Sequence, residues 1–185
     1  PEARRRAAGL LQSDFAKKVL TGADGMKLVA EEELADWAGR LSSQLYGRDE
    51  VLFRQGDSGD SCYVVLSGTL TGHIHHRESG KQTTFEVGAG AVVGEMSLVT
   101  GLPRMAEVRV KESAELLRIP AADFAALLGK HAGLVEQISQ LVAERARQNR
   151  KQVEDLMAAD SPSMDQALSQ DGILKRFWRL LGGKS

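Results

Sequence analysis

Between Tyr46 and Ile119 the chain is a succession of short runs rich in Val, Leu, Phe and Thr, separated by glycine turns. Val51–Phe53, Cys62–Leu66, Thr69–His75, Thr83–Val87, Val108–Val110 and Leu116–Ile119 read as strands. Gly56-Asp57, Gly59-Asp60, Ser67-Gly68, Ser79-Gly80 and Gly88-Ala89-Gly90 read as turns between them. Each short strand buries only one face and needs a facing sheet to cover it. Many of them at close spacing therefore predict an antiparallel sandwich or jelly roll.

The flanks have a different texture. Leu10, Leu11, Phe15, Val19 and Leu20 recur at helical spacing, and so do Leu34, Trp37, Ala38, Leu41 and Leu45 within Glu32–Leu45. The stretch Gly22-Ala23-Asp24-Gly25 breaks the pattern. On the far side, Pro120-Ala121-Ala122-Asp123 makes a helix start, with proline at an early position, and Phe124, Leu127 and Leu128 share one side. Leu134, Ile138, Leu141 and Val142 form the next stripe, and Asp160-Ser161-Pro162-Ser163 ends it. The expected architecture is α+β: an N-terminal helical segment 1–45, an antiparallel β jelly roll 46–120, C-terminal helices 121–158, and a tail 159–185 carrying a short amphipathic helix. Trp37 is expected to pack a helix on the roll.

Bulk properties narrow the function classes. At 185 residues the chain suits one domain with extensions. With 24 basic against 25 acidic residues it lacks the basic excess of a protein that grips a nucleic-acid backbone. One cysteine, Cys62, rules out an internal disulfide framework and a Cys-only metal site, and its apolar strand places it in the core. There is no apolar run of the roughly 18–20 residues that a membrane span needs. No signal peptide is recognisable, since Arg4, Arg5 and Arg6 precede a mixed helical pattern. The expected location is cytoplasmic. The start at Pro1 without Met reads as a domain cut from a longer polypeptide, so the cytoplasmic part of a membrane protein is included in that expectation.

The stretch that carries chemistry is Val93-Gly94-Glu95-Met96-Ser97-Leu98, followed by Val99–Pro103 and by Arg104-Met105-Ala106. A glycine before a short turn lets backbone approach a ligand without a Cβ in the way. One turn of helix over Glu95–Leu98 leaves free amides that make a small anion site. An arginine facing that turn can meet a phosphate with a charge-assisted fork. A glutamate at the same place is repelled by phosphate, but it can accept a hydrogen bond from a sugar hydroxyl and help hold the arginine. Phosphate and ribose in one compact pocket suggest a small nucleotide.

The run Gly94–Leu98 with Pro103-Arg104-Met105-Ala106 resembles the phosphate-binding cassette, 93–106 here, of cyclic-nucleotide-binding domains of the bacterial regulatory type. The upstream run Val51–Gly68 resembles the same family's first strands and glycine turns, and together the two cover roughly residues 45–120. The resemblance implies that Arg104 binds the cyclic phosphate, that Glu95 binds the ribose 2′-hydroxyl, and that backbone amides near Ser97 and Met105 add phosphate contacts. It gives Gly94, Met96, Leu98 and Ala106 as the rest of the cassette, Phe85 and Val93 as lining of the base pocket, and Arg145 as a lid over the base, as in bacterial channel members. Residues 121–158 would then be lid helices. Position 105 is Met where relatives have Ala, Ser or Thr. The absence of the Thr associated with cGMP leans towards cAMP as ligand, with cGMP the alternative.

The expected protein is therefore a sensor and not an enzyme, with a cyclic nucleotide as ligand, no cofactor and no metal. His73, His75 and His76 sit on one strand with the third facing away from the other two, and no acidic or Cys partner is near in sequence, so a solvated strand is the expectation there. Arg145 stands alternatively as one more solvated charge. The expected partner is an attached effector domain or a second copy, and the preferred effector is a bacterial membrane ion channel. The alternatives are a degenerate fold acting as a protein-interaction module and a fragment of a catabolite-activator-like transcription regulator. In the tail 172–181, Ile173, Leu174, Phe177, Trp178 and Leu181 oppose Lys175, Arg176 and Arg179. That pattern docks on protein or lies on an anionic membrane.

Overall fold

The computed structural model describes residues 41–76 and 80–129, together with Gly172 and Lys175. Eight strands form two four-stranded antiparallel sheets: β1 (Ser43–Tyr46), β2 (Val51–Phe53), β3 (Ser61–Ser67), β4 (Thr69–His75), β5 (Gln82–Gly88), β6 (Val92–Val93), β7 (Glu107–Val110) and β8 (Ala114–Pro120). The first sheet has the order β1-β8-β3-β6 and the second β2-β7-β4-β5. Two short helices are described, α1 (Glu95–Thr100) and α2 (Ala121–Gly129).

The alternation of each strand decides what lies between the sheets. Tyr63, Val65, Ala114 and Leu116 point inward from the first sheet, Leu70, Val108 and Val110 from the second, and Val93 joins them in one core cluster. Tyr46, Leu52, Phe53, Val87 and Ala91 pack against its margins. In β4 the burial alternates, with Leu70, Gly72 and Ile74 inward and Thr71, His73 and His75 outward. Strand β3 shows no such alternation. Ser61 to Leu66 are all buried, so its outer face is covered as well. Cys62, Val64, Leu117 and Ile119 lie there, and α2, packed on β8, contributes the buried Ala125.

One boundary moves. The helical reading of residues 1–45 ran through Leu45, but Ser43–Tyr46 is a strand that pairs with Leu117–Ala114 of β8. The spacing of Leu41 and Leu45 fits a helix stripe. Yet Leu45 is 84% exposed, so no helix packing holds it, and the backbone bonds of β8 decide its conformation. Residues 1–40, with Trp37, lie outside the described residues, as do residues 130–158, Arg145 and the tail apart from Gly172 and Lys175. Among the described residues no helix is long and apolar enough to cross a membrane.

Candidate functional site

Helix α1 is short because glycines close both ends. Gly94, at φ 84°, is its N-cap, and Gly101, at φ 76°, ends it with its N–H donated to the Ser97 carbonyl. The Thr100 hydroxyl donates to the Met96 carbonyl at 2.7 Å and accepts from the Leu102 N–H at 3.1 Å, which turns the chain towards Pro103. No side chain caps the amino end of α1. The first amides of a helix have no partner within it, and such an end is a place where an anion can bind. Ser97, Leu98, Val99 and Thr100 are buried, and the helix packs on β3. Glu95, the first helical residue, is only 8% exposed.

Arg104 is the other half of the site, and its setting is unusual for a cation. It is 2% exposed. Its Nη1 donates to the Gly94 carbonyl at 2.7 Å and its Nη2 to the Ser61 carbonyl at 2.6 Å. The guanidinium carbon stands 4.2 Å above the centroid of the Phe53 ring, and Phe53 in turn stacks on Tyr63 at 6.2 Å. Nε is buried with no hydrogen-bond partner. None of the ion pairs among the described residues involves Arg104; Asp60, the carboxylate that acts on it most strongly, bonds Arg118 at 3.1 Å. Burial pushes the guanidinium pKa down, while Tyr63 and Asp60 oppose that shift. A buried charge held by neutral carbonyls and an aromatic face keeps much of its desolvation cost, which a bound anion would offset.

The loop before β3 fastens this arginine. The Arg104 N–H donates to the Asp57 carbonyl at 2.8 Å, and the Gly56 N–H donates to the Arg104 carbonyl at 2.9 Å. The turn itself is closed by the Arg54 N–H on the Asp57 carboxylate at 2.9 Å. Gly59 lies against both Ser97 and the Arg104 guanidinium. At Gly94 a Cβ would run into Nη1 of Arg104, so the positive φ and the close approach both require glycine there.

The floor beside the arginine comes from the second sheet. The pairings Phe85 with Gly72, Gly72 with Val108, and Val108 with Phe53 make one cross-strand row on its inner face. The Phe85 ring lies across Gly72, where any Cβ would overlap it. Although it faces inward, Phe85 remains 37% exposed. An inward aromatic that is still open to solvent keeps part of its ring available for contact.

The structure thus brings Gly94, Glu95, Met96, Ser97, Leu98, Arg104, Met105 and Ala106 onto one helix-and-loop unit, with Phe85 on the adjoining sheet. Val93 packs in the core at 7% exposure and offers a ligand little surface. Nothing in the residue pattern singles out Phe53 or the Ser61 carbonyl. An isolated glycine inside the Thr69–His75 strand was the available signal for Gly72. On the outer face Gln82 bonds His73 at 2.8 Å, while Thr83, which pairs with the inward Ile74, bonds His76 at 2.9 Å. No cluster of three His, Cys, Asp or Glu occurs among the described residues.

Comparison with known proteins agrees with this geometry. The family model of the cyclic nucleotide-binding domain matches residues 43–131. A lysophospholipase, nte1 of Emericella nidulans, is 35% identical over 99 residues, which is 53% of this chain and 6% of that protein. The chain spans about 6% of the length of the curated relatives it matches. A cyclic nucleotide-binding domain from Methylobacillus flagellatus superposes with a TM-score of 0.62 at 22% identity, covering 87% of this chain and 88% of that one. The regulatory domain of Toxoplasma gondii PKA, crystallised with cAMP, gives a TM-score of 0.61 at 22% identity, covering 80% of this chain and 51% of that one.

Proposed function

The chain belongs, through residues 43–131, to the cyclic nucleotide-binding domain family, and from that premise we propose that it is a regulatory sensor whose ligand is cAMP. The observation that carries the reading is Arg104, buried to 2% exposure with its Nε unpartnered and no ion pair among the described residues. A monoanionic cyclic phosphate supplies the missing counter-charge, bonded by Arg104 and by the uncapped amino end of α1. Glu95 takes the ribose 2′-hydroxyl, since a carboxylate accepts that bond and repels the phosphate. The base extends over the second sheet towards Phe85, whose exposed face is free to stack on it. The absence of a Thr at Met105 favours adenine over guanine.

The domain has no reaction of its own in this reading. Ligand binding favours one arrangement of the segments that follow the roll, and only its differential affinity for two arrangements moves an effector. Arg145, as lid, belongs to those segments. The effector sits in the same polypeptide or in a partner, and a bacterial membrane ion channel is the one that the Arg145 position and the basic-aromatic tail favour. The small share of their length that the curated relatives give to a region like this supports a domain serving a larger machine.

Calorimetry with cAMP and with cGMP, on this chain and on Arg104→Ala at one salt concentration, tests the reading. Removing one member of a buried charged pair costs about 2–5 kcal/mol, a loss of about thirty-fold to a few thousand-fold. Binding of cAMP that Arg104→Ala abolishes supports the sensor. No binding of either nucleotide by the intact chain replaces it with a degenerate fold that docks on a protein partner.

A further inference from the structure

Resting on the reading that this site takes an anionic phosphate, we propose that Phe53 is the positioning residue for Arg104, a π platform that fixes the plane of the guanidinium before any ligand arrives. Arginine is long, and left to itself it samples many rotamers. Here four contacts restrict it. The ring of Phe53 lies 4.2 Å beneath the guanidinium carbon, two carbonyls take one N–H each from Nη1 and Nη2, and Gly94 leaves room for Nη1 only because it has no Cβ.

The carbonyls fix distance along the edge of the fork. They do not fix its tilt, because a carbonyl oxygen accepts over a broad range of directions. The ring fixes the tilt, since the cation is drawn to the negative face of the π system and the attraction is strongest where water is excluded. Phe53 is itself held on both sides. It stacks on Tyr63, and its backbone pairs through β2 with Val108 of β7. The platform therefore belongs to the rigid sandwich, while Arg104 comes from the loop between α1 and β7. Two of the five donors of the guanidinium are spent on carbonyls, and Nε is buried with no hydrogen-bond partner. An aliphatic side chain at 53 would fill the same space and still bury the arginine, but it would supply no face to orient it.

The role is thermodynamic. A platform that orders a rotamer-rich side chain in advance removes that ordering from the cost of binding, about two- to twelve-fold in affinity. The test compares Phe53→Leu with Phe53→Tyr on this chain. Titration with cAMP is expected to show binding about two- to twelve-fold weaker for Phe53→Leu and close to the parent for Phe53→Tyr, with thermal midpoints of both near the parent. In 15N-labelled protein the Arg104 Nε–H proton, assigned by its loss in Arg104→Lys, is expected upfield under the ring current. It should return downfield in Phe53→Leu without any ligand. Unchanged affinity in Phe53→Leu overturns the proposal. So does equal loss in Phe53→Tyr, which would mark a packing role, or an Nε–H resonance that does not move. If the intact chain binds no cyclic nucleotide, the functional reading fails, and the resonance alone decides whether Phe53 orients Arg104.

Discussion

The two sheets are built from similar residues and yet do different work. In the first, β3 is buried on both faces from Ser61 to Leu66, and Leu116 and Leu117 of β8 are 0% and 1% exposed. In the second, β4 alternates strictly between buried and open, and β5 at its edge is exposed at every residue but Val87. The centre of the first sheet, at β3, therefore has no surface free for a ligand. The second has one inner row, Phe85-Gly72-Val108-Phe53, that starts in solvent at Phe85 and ends under the arginine at Phe53. A doubly covered sheet supplies stiffness, and a singly covered one supplies a floor.

This contrast makes its largest prediction for the first sheet. Leu116→Ala removes a wholly buried side chain from the core cluster, and the loss of transfer energy plus the cavity should destabilise the domain by about 2–5 kcal/mol. Phe85→Ala, with a larger side chain removed, should cost about 1 kcal/mol at most, because its ring is already partly in water. Denaturant titration separates the two, and calorimetry with cAMP should reverse their order. Leu116→Ala retains affinity at temperatures where it is folded, and Phe85→Ala loses it. Equal stability losses would mean that the second sheet is as much a core wall as the first.

How much of this was legible beforehand follows the same division. The strand runs of the first sheet carry their own hydrophobic signal, and Cys62 is the buried core residue that its apolar run indicates. The cassette was legible because Gly94–Leu98 with Pro103–Ala106, preceded by the Val51–Gly68 run, resembles that of a known family, and the chain does bring Gly94, Glu95 and Arg104 onto one helix-and-loop unit. What was not legible is what arises across strands. Phe53 looks like any apolar residue of a strand, and only register places it beside Val108 and under Arg104. Leu45 misled because a helix stripe and a strand edge can share one leucine, and the backbone of β8 made the choice.

Gly72 offers an intermediate effect that sharpens the comparison from within the second sheet. A β-branched residue in mid-strand ordinarily favours sheet, so Gly72→Val should stabilise if local propensity governed. Its side chain would instead meet the Phe85 ring, and the overpacking should cost about 1–3 kcal/mol. In the double variant Gly72→Val with Phe85→Ala the clash is gone, and stability should return to the parent or above it, a strongly non-additive cycle. Nucleotide affinity should stay low in both variants, because the base has lost its platform. Additive costs in the double variant would show that the ring does not depend on Gly72 for its seat.

A pH dependence tests the double cover of the first sheet through Cys62, which is wholly buried. Burial pushes its thiol pKa well up, Glu95 pushes it further, and Arg104 only partly opposes them. The unfolded chain ionises this thiol at its ordinary value of about 8.5, while the native chain keeps it protonated. Above that pH the unfolded state binds fewer protons than the native state, so stability falls as pH rises, by up to about 1.4 kcal/mol per pH unit. Thermal midpoints between pH 8 and pH 10 should therefore decline, and Cys62→Ala, less stable at neutral pH, should show a shallower slope. Tyr46, whose pKa burial also raises, adds a loss of the same sign only above about pH 10. The thiol should resist a water-soluble disulfide reagent until the domain unfolds, at any pH in that range. Rapid labelling in native conditions would mean that the outer face of β3 opens locally, and the stiffness assigned to the first sheet would have to come from the inner core alone.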